Sequence, residues 1–256
     1  MILQGKNILI TGASSGIGFE LAKQLADKGC SLALLNRRTE ITDKLACELS
    51  TGKNKIISLK CDVSCRDEVT GAVAKAKEIL GEINIAILNS GISKRFPVEE
   101  FNSEFISQTF DVNVIGMSYC IEALLPDFIK QKNGMIVGVS SLADGRGFPK
   151  SGSYCASKAA VTLLLESLRT ELKKHNIKVI TVKPGFVKTP MNDKNDFQMP
   201  FLMHVDKAAK IILKGIEKEK RSIQFPTPTV FAARLLKIIP DFIFDKIAER
   251  TSTSFR

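Results

Sequence analysis

The sequence is poor in the side chains that most often stack on nucleic-acid bases, because it contains no tryptophan and only two tyrosines. Its formal net charge is nevertheless +10 at pH 7, which by itself would suit a polyanionic partner. The lysines and arginines are spread along the chain, however, and no run of five or more occurs. We therefore expect no nucleic-acid partner, and an anionic cofactor or an acidic surface accounts for the charge more simply.

Histidine is scarce as well, with two residues in the chain, and six cysteines are scattered through segments with regular apolar patterns. Cys61 and Cys65 lie four residues apart, but with no histidine nearby they are too sparse for a zinc site. The spacing also lacks the dense framework of a small disulfide-linked domain. We expect reduced thiols, no metal and a cytoplasmic protein.

Long apolar runs are missing too, since none approaches the ~18 residues that a membrane-spanning helix needs. The N-terminal segment MILQGKNILITG enters a strand-like run at once, which leaves no room for a signal peptide. With 44% apolar and 25% charged residues in a chain of 256, the composition indicates a globular protein with a sizeable core.

What the sequence does contain is a regular alternation of short apolar runs and amphipathic segments. The apolar runs predict strands at residues 6–11, 31–35, 56–60, 83–88, 135–139, 177–182 and 221–225. The alternation predicts an α/β fold, a single doubly wound, seven-stranded parallel sheet of the Rossmann type over residues 1–225. In such sheets ligands bind beyond the carboxyl ends of the strands.

Residues 11–18, TGASSGIG, connect the first predicted strand to an amphipathic helix. A glycine-rich turn at a helix N-terminus gathers unpaired N–H groups at the positive end of the helix dipole, so it can hold an anion. The expected guest is a pyrophosphate, with Ser14 and Ser15 as additional hydroxyl donors. The spacing is G-x-x-x-G-x-G, not the general dinucleotide pattern G-x-G-x-x-G.

Arg37 and Arg38 follow the second predicted strand, at the place where a dinucleotide fold faces the adenosine ribose. A carboxylate there would favour a free 2′-hydroxyl, but two guanidinium groups suit a 2′-phosphate. NADP(H) is therefore expected in preference to NAD(H). The alternative is that both arginines are simply solvated in a loop.

The candidate catalytic groups lie in residues 135–161. An apolar run ends near Ser141, and Tyr154 and Lys158 follow with the i, i+4 spacing that places two side chains on one helix face. A neighbouring ammonium stabilises a phenolate, so we expect the pKa of Tyr154 to lie below its usual value of about 10. Taken alone, such a pair is also common on ordinary amphipathic helices.

Other polar residues follow the third and fourth strands. Asp62 could hydrogen-bond an adenine amino group or merely fix its own turn. Asn89 and Gly91 lie where a small, hydrogen-bonding turn would let a cofactor approach the backbone closely. Asn113 occurs inside a long helix predicted over residues 102–130, where helix propensity would not select it.

Together these motifs resemble the short-chain dehydrogenase/reductase family over about residues 5–225. The resemblance implies a catalytic tetrad of Asn113, Ser141, Tyr154 and Lys158. The residues that it implies for cofactor binding are Gly12, Ser14, Ser15, Gly16, Ile17, Gly18, Arg37, Arg38, Asp62, Val63, Asn89, Gly91, Tyr154, Lys158, Pro184, Gly185, Val187 and Thr189.

By the same resemblance, Asp62 and Val63 would contact adenine and residues 184–189 would hold the nicotinamide carboxamide. Two departures from the family pattern occur. The usual N-N-A-G after the fourth strand is L-N-S-G at residues 88–91, which keeps the asparagine and the glycine. Many tetrameric members end in a glycine-rich strand, whereas here FPTP at residues 225–228 leads into an apolar and basic segment. We therefore do not expect tetramerisation by that route, and a homodimer stays open.

The resemblance implies an NADP(H)-dependent interconversion of a carbonyl group and a secondary alcohol. The carbonyl would lie between Ser141 and Tyr154, and Tyr154 would supply the proton as hydride is transferred. Lys158 would bond the nicotinamide ribose, and Asn113 could hold a water that relays protons. The alternative is a catalytically idle NADP(H)-binding regulatory protein of the same fold.

The C-terminal part is apolar and irregular in pattern. Residues 190–218 are expected to form a flap over the substrate, or a loose connector, followed by a helix. Residues 226–256 predict two short amphipathic helices broken at Pro240. These helices could cap the pocket, pair with another subunit or lie on a membrane surface. The apolar character of both segments indicates a hydrophobic substrate.

Overall fold

The structure, a computed structural model, describes residues 1–52, 54–193 and 199–253, with side chains described up to residue 249. The strands in this part of the chain are β1 (Asn7–Thr11), β2 (Ser31–Asn36), β3 (Ile56–Lys60), β4 (Ile85–Leu88), β5 (Gly134–Val139), β6 (Ile177–Pro184) and β7 (Ser222–Phe225). They form one parallel sheet in the order β3-β2-β1-β4-β5-β6-β7. The predicted seven-stranded, doubly wound sheet is confirmed.

Helices cover both faces of the sheet. They are α1 (Gly16–Asp27), α2 (Glu40–Leu49), α3 (Arg66–Leu80), α4 (Ser103–Phe110), α5 (Gly116–Gln131), α6 (Gly152–Glu171), α7 (Val205–Glu217), α8 (Thr227–Ile238) and α9 (Asp241–Thr253). Helix α2 was not predicted from the sequence. This short helix buries only Thr42, Leu45 and Ala46, so its apolar pattern is brief.

The strands separate two apolar cores. Ile8 and its same-face neighbours pack with α1, α2 and α7, whereas Leu9 and the opposite face pack with α3, α5 and α6. Because both faces are covered, the inner strands β1, β2, β4 and β5 are continuous apolar runs instead of alternating ones. A Cβ atom at Gly138 would overlap the Leu165 side chain, so this glycine lets α6 lie directly on β5.

The order of the strands reverses at β1, which pairs with β2 on one side and with β4 on the other. Chain connections leave this point in opposite directions, so a crevice opens beyond the carboxyl ends of β1 and β4. Thr11 and Leu88, the last paired residues of these two strands, border it.

The helix predicted over residues 102–130 is observed as α4 and α5 joined by a π-helical turn at Asp111–Ile115. By length and composition alone, residues 103–131 are long and apolar enough to cross a bilayer. Within the fold, α5 buries Met117 and Phe128 in the core beside α3. Core helices of globular proteins commonly have this composition.

The chain after β6 follows the sequence prediction closely. Helix α7, strand β7 and the pair α8 and α9, broken at Pro240, all occur as expected. The predicted flap is described except for residues 194–198, which lie outside the described residues. Helix α8 packs against β7, so the extension contacts the sheet. The division into a domain at 1–225 and an extension at 226–256 stays a prediction.

Candidate active site

A cavity of about 980 Å³ lies beyond the carboxyl ends of the strands. The glycine-rich turn, the ends of β2 to β6, and α8 and α9 all contribute to its wall. Every residue predicted for catalysis or cofactor binding lines this cavity except Gly18 and Asn113. The topology therefore brings together motifs that are separated by up to 177 positions, from Gly12 to Thr189.

Gly18 lies behind the glycine-rich turn instead of on the cavity wall. A Cβ atom there would collide with the carbonyl oxygen of Gly12 and lie 2.5 Å from Asn89 Nδ2. Gly12 and Gly16 have φ values of +69° and +57°, which other residues rarely adopt. These three glycines therefore let the turn fold tightly over the N-terminus of α1, with Ser15 as the N-cap residue.

Asn89 fastens the glycine-rich turn to the end of β4. Its Nδ2 donates to Thr11 O at 3.2 Å and Gly12 O at 3.1 Å. In return, the Thr11 hydroxyl accepts the N–H groups of Asn89 and Ser90 at 3.0 and 3.1 Å. The bridging role of Thr11 was missed from the sequence, where its position at a strand end was the only signal.

Arg37 and Arg38 both line the cavity, and a carboxylate accompanies them. Arg37 Nη1 lies 3.6 Å from Asp62 Oδ2, while Asp62 Oδ1 accepts from the N–H and hydroxyl of Ser64 at 3.0 and 2.7 Å. Burial acts to raise the pKa of Asp62, but the Ser64 hydrogen bonds and the Arg37 charge outweigh it and lower the pKa. The structure thus shows Asp62 fixing its own turn.

Tyr154 and Lys158 lie on the first half of α6, and Ser141 precedes the 3₁₀ turn Leu142–Asp144 after β5. The Ser141 hydroxyl hydrogen-bonds the Tyr154 phenol and also accepts from Ala143 N at 3.1 Å. Lys158 is 3% exposed, and its Nζ lies 5.7 Å from the Tyr154 ring centroid. The Ser, Tyr and Lys side chains predicted from the sequence therefore share one site.

The expected fall in the pKa of Tyr154 is wrong for this structure. Burial raises the pKa of the phenol, and the hydrogen bond from Ser141 offsets only part of that effect. Burial also lowers the pKa of Lys158 to about 8, and its Nζ donates to Val139 O at 2.9 Å. Removal from water is thus the largest cause of both pKa shifts.

Asn113 lies at the π-helical turn and is fully buried. Its Oδ1 accepts from Ile92 N at 2.8 Å, and its Nδ2 donates to Ile92 O at 3.0 Å and to Ser157 Oγ at 2.9 Å. A Cβ atom at Gly91 would lie 3.3 Å from Asn113 Oδ1 and 3.4 Å from Lys158 Nζ. The amide therefore pins residues 91–92 beside Lys158, and π-turns of this kind are frequent at functional sites.

A buried polar network behind Ser141 was missed from the sequence. Lys183 Nζ lies 2.6 Å from Asp144 Oδ2, which also accepts from the Thr162 hydroxyl at 2.6 Å. The Thr162 and Ser140 hydroxyls are 2.8 Å apart, and Ser140 donates to Lys158 O at 2.9 Å. This network ties the turn after Ser141 to α6 and to the end of β6.

Arg146 was also missed, because its partners follow it by about ninety positions in the sequence. Its Nε donates to Leu236 O at 2.9 Å, its Nη2 to Ile239 O, and its Nη1 pairs with Asp241 at 2.6 Å. The guanidinium also lies 5.0 Å from the Phe244 ring centroid. Arg146 therefore holds the junction of α8 and α9 against the loop between Ser141 and Tyr154.

The C-terminal helices cover the cavity. Capping the pocket was one of the three arrangements expected for this segment. They contribute a mainly apolar set of lining residues, namely Thr229, Ala232, Ala233, Leu236, Phe244, Ile247 and Ala248. The Phe148 and Phe244 rings meet edge to face at 5.9 Å, which extends this wall onto the loop after β5.

Residues 184–192 pass over the glycine-rich turn. A Cβ atom at Gly16 would lie 3.0 Å from the Thr189 methyl carbon, and Val187 forms a parallel bridge with Met203. A Cβ atom at Gly185 would lie 3.1 Å from Pro226, so this segment also approaches the start of α8. The segment therefore separates the turn from the C-terminal helices.

With this geometry in place, a family model for short chain dehydrogenases matches residues 6–199. The chain belongs to the short-chain dehydrogenase family. It is accordingly an oxidoreductase, and curated relatives agree. An uncharacterized oxidoreductase of Myxococcus xanthus is 32% identical over 245 residues, 96% of this chain and 97% of the relative. The oxidoreductase UcpA of Salmonella typhimurium is 39% identical over 190 residues, 74% of this chain and 72% of the relative.

Solved structures of other short-chain dehydrogenases share the fold of this enzyme. One from Burkholderia phymatum, in complex with NAD, has a TM-score of 0.84 at 23% identity and covers 92% of this chain and 94% of its own. The 3-ketoacyl-(acyl-carrier-protein) reductase of Brucella melitensis, complexed with NADH, has a TM-score of 0.81 at 25% identity, with 89% and 99% covered.

Proposed function

We propose that this short-chain dehydrogenase interconverts a carbonyl group and a secondary alcohol with NADP(H), and that Tyr154 is its general acid and base. The proposal is carried by the Tyr154 phenol, which hydrogen-bonds Ser141 one helical turn from the buried Lys158 ammonium. These groups and the glycine-rich turn line one cavity. A hydride carrier and a proton donor could therefore act on the same carbonyl.

The residues present suit a dinucleotide. Gly12 and Gly16 leave the N-terminus of α1 free of side-chain bulk, where N–H groups and the helix dipole would meet a pyrophosphate. Asn89 holds this turn in shape through its two carbonyl contacts. When bound, the nicotinamide would supply or accept the hydride.

In the proposed mechanism, Ser141 and Tyr154 both donate hydrogen bonds to the substrate oxygen. These bonds strengthen as negative charge develops on that oxygen, so they stabilise the transition state more than the ground state. Tyr154 then gives up its proton in the reductive direction and takes one up in the oxidative direction. Lys158 would stabilise the resulting phenolate and bond the ribose, and Asn113 holds residues 91–92 in place beside it.

The preference for NADP(H) is supported by Arg37 and Arg38, which both face the cavity. Asp62 near Arg37 is a competing consideration, because a carboxylate favours a 2′-hydroxyl. Arg37 is the larger contributor in our proposal, since its side chain is 66% exposed and can turn toward a 2′-phosphate. Arg37→Ala should raise the Kd of NADPH about tenfold or more while changing that of NADH little. Equal losses for both would remove the argument for NADP(H).

The proposed substrate is hydrophobic. Phe148, Leu236 and Phe244 line the cavity together with Ala232 and Ala233, and this wall would desolvate an apolar substituent next to the carbonyl. A bulky or extended apolar group would fill this space, and a small polar ketone would not.

A panel of carbonyl compounds, from small ketones to long-chain and aromatic ones, tests the proposal when NADPH and NADH consumption are followed. We expect turnover on apolar members of the panel, with NADPH preferred. If NADPH bound tightly but no carbonyl or alcohol were turned over, the protein would be a cofactor-binding regulator instead.

A further inference from the structure

The face of α8 that points away from the cavity is apolar and exposed. While Leu236 faces the cavity, Phe231, Leu235 and Ile238 are 71%, 50% and 78% exposed. With Arg234 they recur at i, i+3, i+4 and i+7, the spacing of one helix face. A large apolar face of this kind that is exposed to water marks an interaction site.

Helix α9 continues this surface. Phe242 and Ile243 are 67% and 39% exposed, and Lys246 follows on the same side of the helix. Of the acidic residues of α9, Asp241 pairs with Arg146, whereas Asp245 and Glu249 follow Phe242 at i+3 and i+7 and lie on the same side beside Lys246. We call the exposed apolar set Phe231, Leu235, Ile238, Phe242 and Ile243 the outer apolar face.

A basic groove borders the outer apolar face. It lies between α7 and α8, has a volume of about 480 Å³, and is lined by the cations Lys214, Lys218, Lys220 and Arg234. Two glutamates occur nearby in the sequence, but each is already paired. Glu217 lies 2.8 Å from Lys28 Nζ, and Glu219 lies 2.5 Å from Lys178 Nζ. The groove therefore keeps a strong positive charge.

We propose that the outer apolar face and the basic groove dock this protein on an anionic lipid bilayer. The apolar side chains would enter the boundary between headgroups and acyl chains, while the groove lysines would meet lipid phosphates. Because the inner sides of α8 and α9 line the cavity, docking would place the cavity wall against lipid.

A second copy of the chain fits this surface less well. A two-fold contact uses the same patch on both copies, so two outer apolar faces would meet with both basic grooves at the rim. Like charges brought together in this way disfavour the pairing. An anionic bilayer instead offers a complementary charge to every cation of the groove. This inference does not depend on the proposed catalytic activity.

Co-sedimentation of the full-length protein with vesicles tests the docking surface. We expect binding to vesicles of mixed phosphatidylcholine and phosphatidylglycerol, much weaker binding to phosphatidylcholine alone, and release by high salt. The triple variant Phe231→Ser/Leu235→Ser/Ile238→Ser should lower the bound fraction about fivefold or more. Leu163→Ser is the matched control, because Leu163 is 66% exposed on α6.

A second triple variant tests the charge independently. Lys214→Gln/Lys218→Gln/Lys220→Gln should weaken binding to the anionic vesicles about tenfold or more. The control removes the same charge from α2, α5 and the 3₁₀ turn after α6, as Lys44→Gln/Lys130→Gln/Lys174→Gln, and should leave binding unchanged. All substituted positions are exposed, so thermal melting should change little.

Three results would overturn the proposal. The first is a wild-type protein that stays in the supernatant with anionic vesicles, and the second is serine and glutamine variants that bind as well as their controls. The third is a dimer in analytical ultracentrifugation that the serine variant abolishes, with no vesicle binding by wild type. That result would assign the outer apolar face to a contact between copies of the chain.

Discussion

At the scale of single residues, burial acts on Tyr154 and Lys158 in opposite directions. It raises the pKa of the phenol and lowers that of the ammonium to about 8. A buried phenol with a raised pKa stays protonated at neutral pH, which suits a group that must donate a proton. In the proposed mechanism Tyr154 therefore enters the reductive direction in its protonated form.

The lowered pKa of Lys158 predicts a pH dependence of stability. Its folded pKa of about 8 lies below the ordinary value of 10.5, so the unfolded state binds more protons between these values. The free energy of unfolding of wild type should therefore rise with pH through this window. The cost of burying the charge, about 3 kcal/mol, is fully present below pH 8 and is lost above pH 10.5.

Lys158→Met has no titrating group and isolates this effect. Urea unfolding of both proteins at pH 7 and near pH 10.5 should show wild type gaining about 3 kcal/mol relative to the variant. A difference between the two proteins that is constant across this range would mean that Lys158 titrates normally.

Most of the candidate site could be predicted from the sequence because its members follow strand ends. Ser141, Tyr154 and Lys158 share a site as expected from the end of β5 and an i, i+4 spacing. The lower pKa expected for Tyr154 was wrong, because the degree of burial depends on packing from distant segments. Asp62 and Arg37 illustrate the same limit, since their contact joins the ends of two separate strands.

At the scale of elements, the glycine-rich turn depends on the absence of a side chain at Gly18. Gly18→Ala should displace Gly12 and Asn89, raise the Kd of either nicotinamide dinucleotide about tenfold or more, and destabilise the fold by about 2 kcal/mol. Cofactor titration and urea unfolding measure the two effects.

Gly71→Ala is the matched control, because nothing lies within 4 Å of a Cβ atom at this helical position. This change should stabilise α3 by about 0.5–1 kcal/mol and leave cofactor binding unaltered. Similar behaviour of the two alanine variants would contradict the close approach of Gly18 to Gly12.

The attachment of α8 and α9 to the loop between Ser141 and Tyr154 depends on Arg146. Arg146→Ala removes the contacts to Leu236, Ile239 and Asp241, so the C-terminal helices should become sensitive to protease. The KM for apolar carbonyls should rise about tenfold, with a smaller change in kcat, because the cavity wall is lost but the chemical groups are not.

Arg66→Ala provides the control, since Arg66 forms an exposed ion pair with Glu122 and neither residue lines the cavity. It should change neither protease sensitivity nor KM. An Arg146→Ala protein with intact C-terminal helices and an unchanged KM would argue against a positioning role for this arginine.

At the scale of the whole molecule, the fold could be predicted because the central strands are buried on both faces. β4 and β5 are buried at every position, and such strands appear as uninterrupted apolar runs. The helix α2 and the contacts of Arg146 could not be predicted in this way. A short helix has little periodicity, and a contact across ninety positions leaves no local pattern.

Whether the molecule binds a second copy or a membrane depends on its exposed surface, not on its sheet. A homodimer and a cytoplasmic location stay predictions. The outer apolar face is the feature on which both depend, because it must be covered by a second copy or by lipid, or remain in water.

The central claim is that Tyr154 transfers the proton in the reaction. Turnover of an apolar carbonyl with NADPH should fall about a hundredfold or more in Tyr154→Phe, while the Kd of NADPH stays within about threefold of wild type. Tyr119→Phe, at the only other tyrosine in the sequence, should behave like wild type. A Tyr154→Phe protein that keeps more than a few per cent of wild-type turnover would contradict the account.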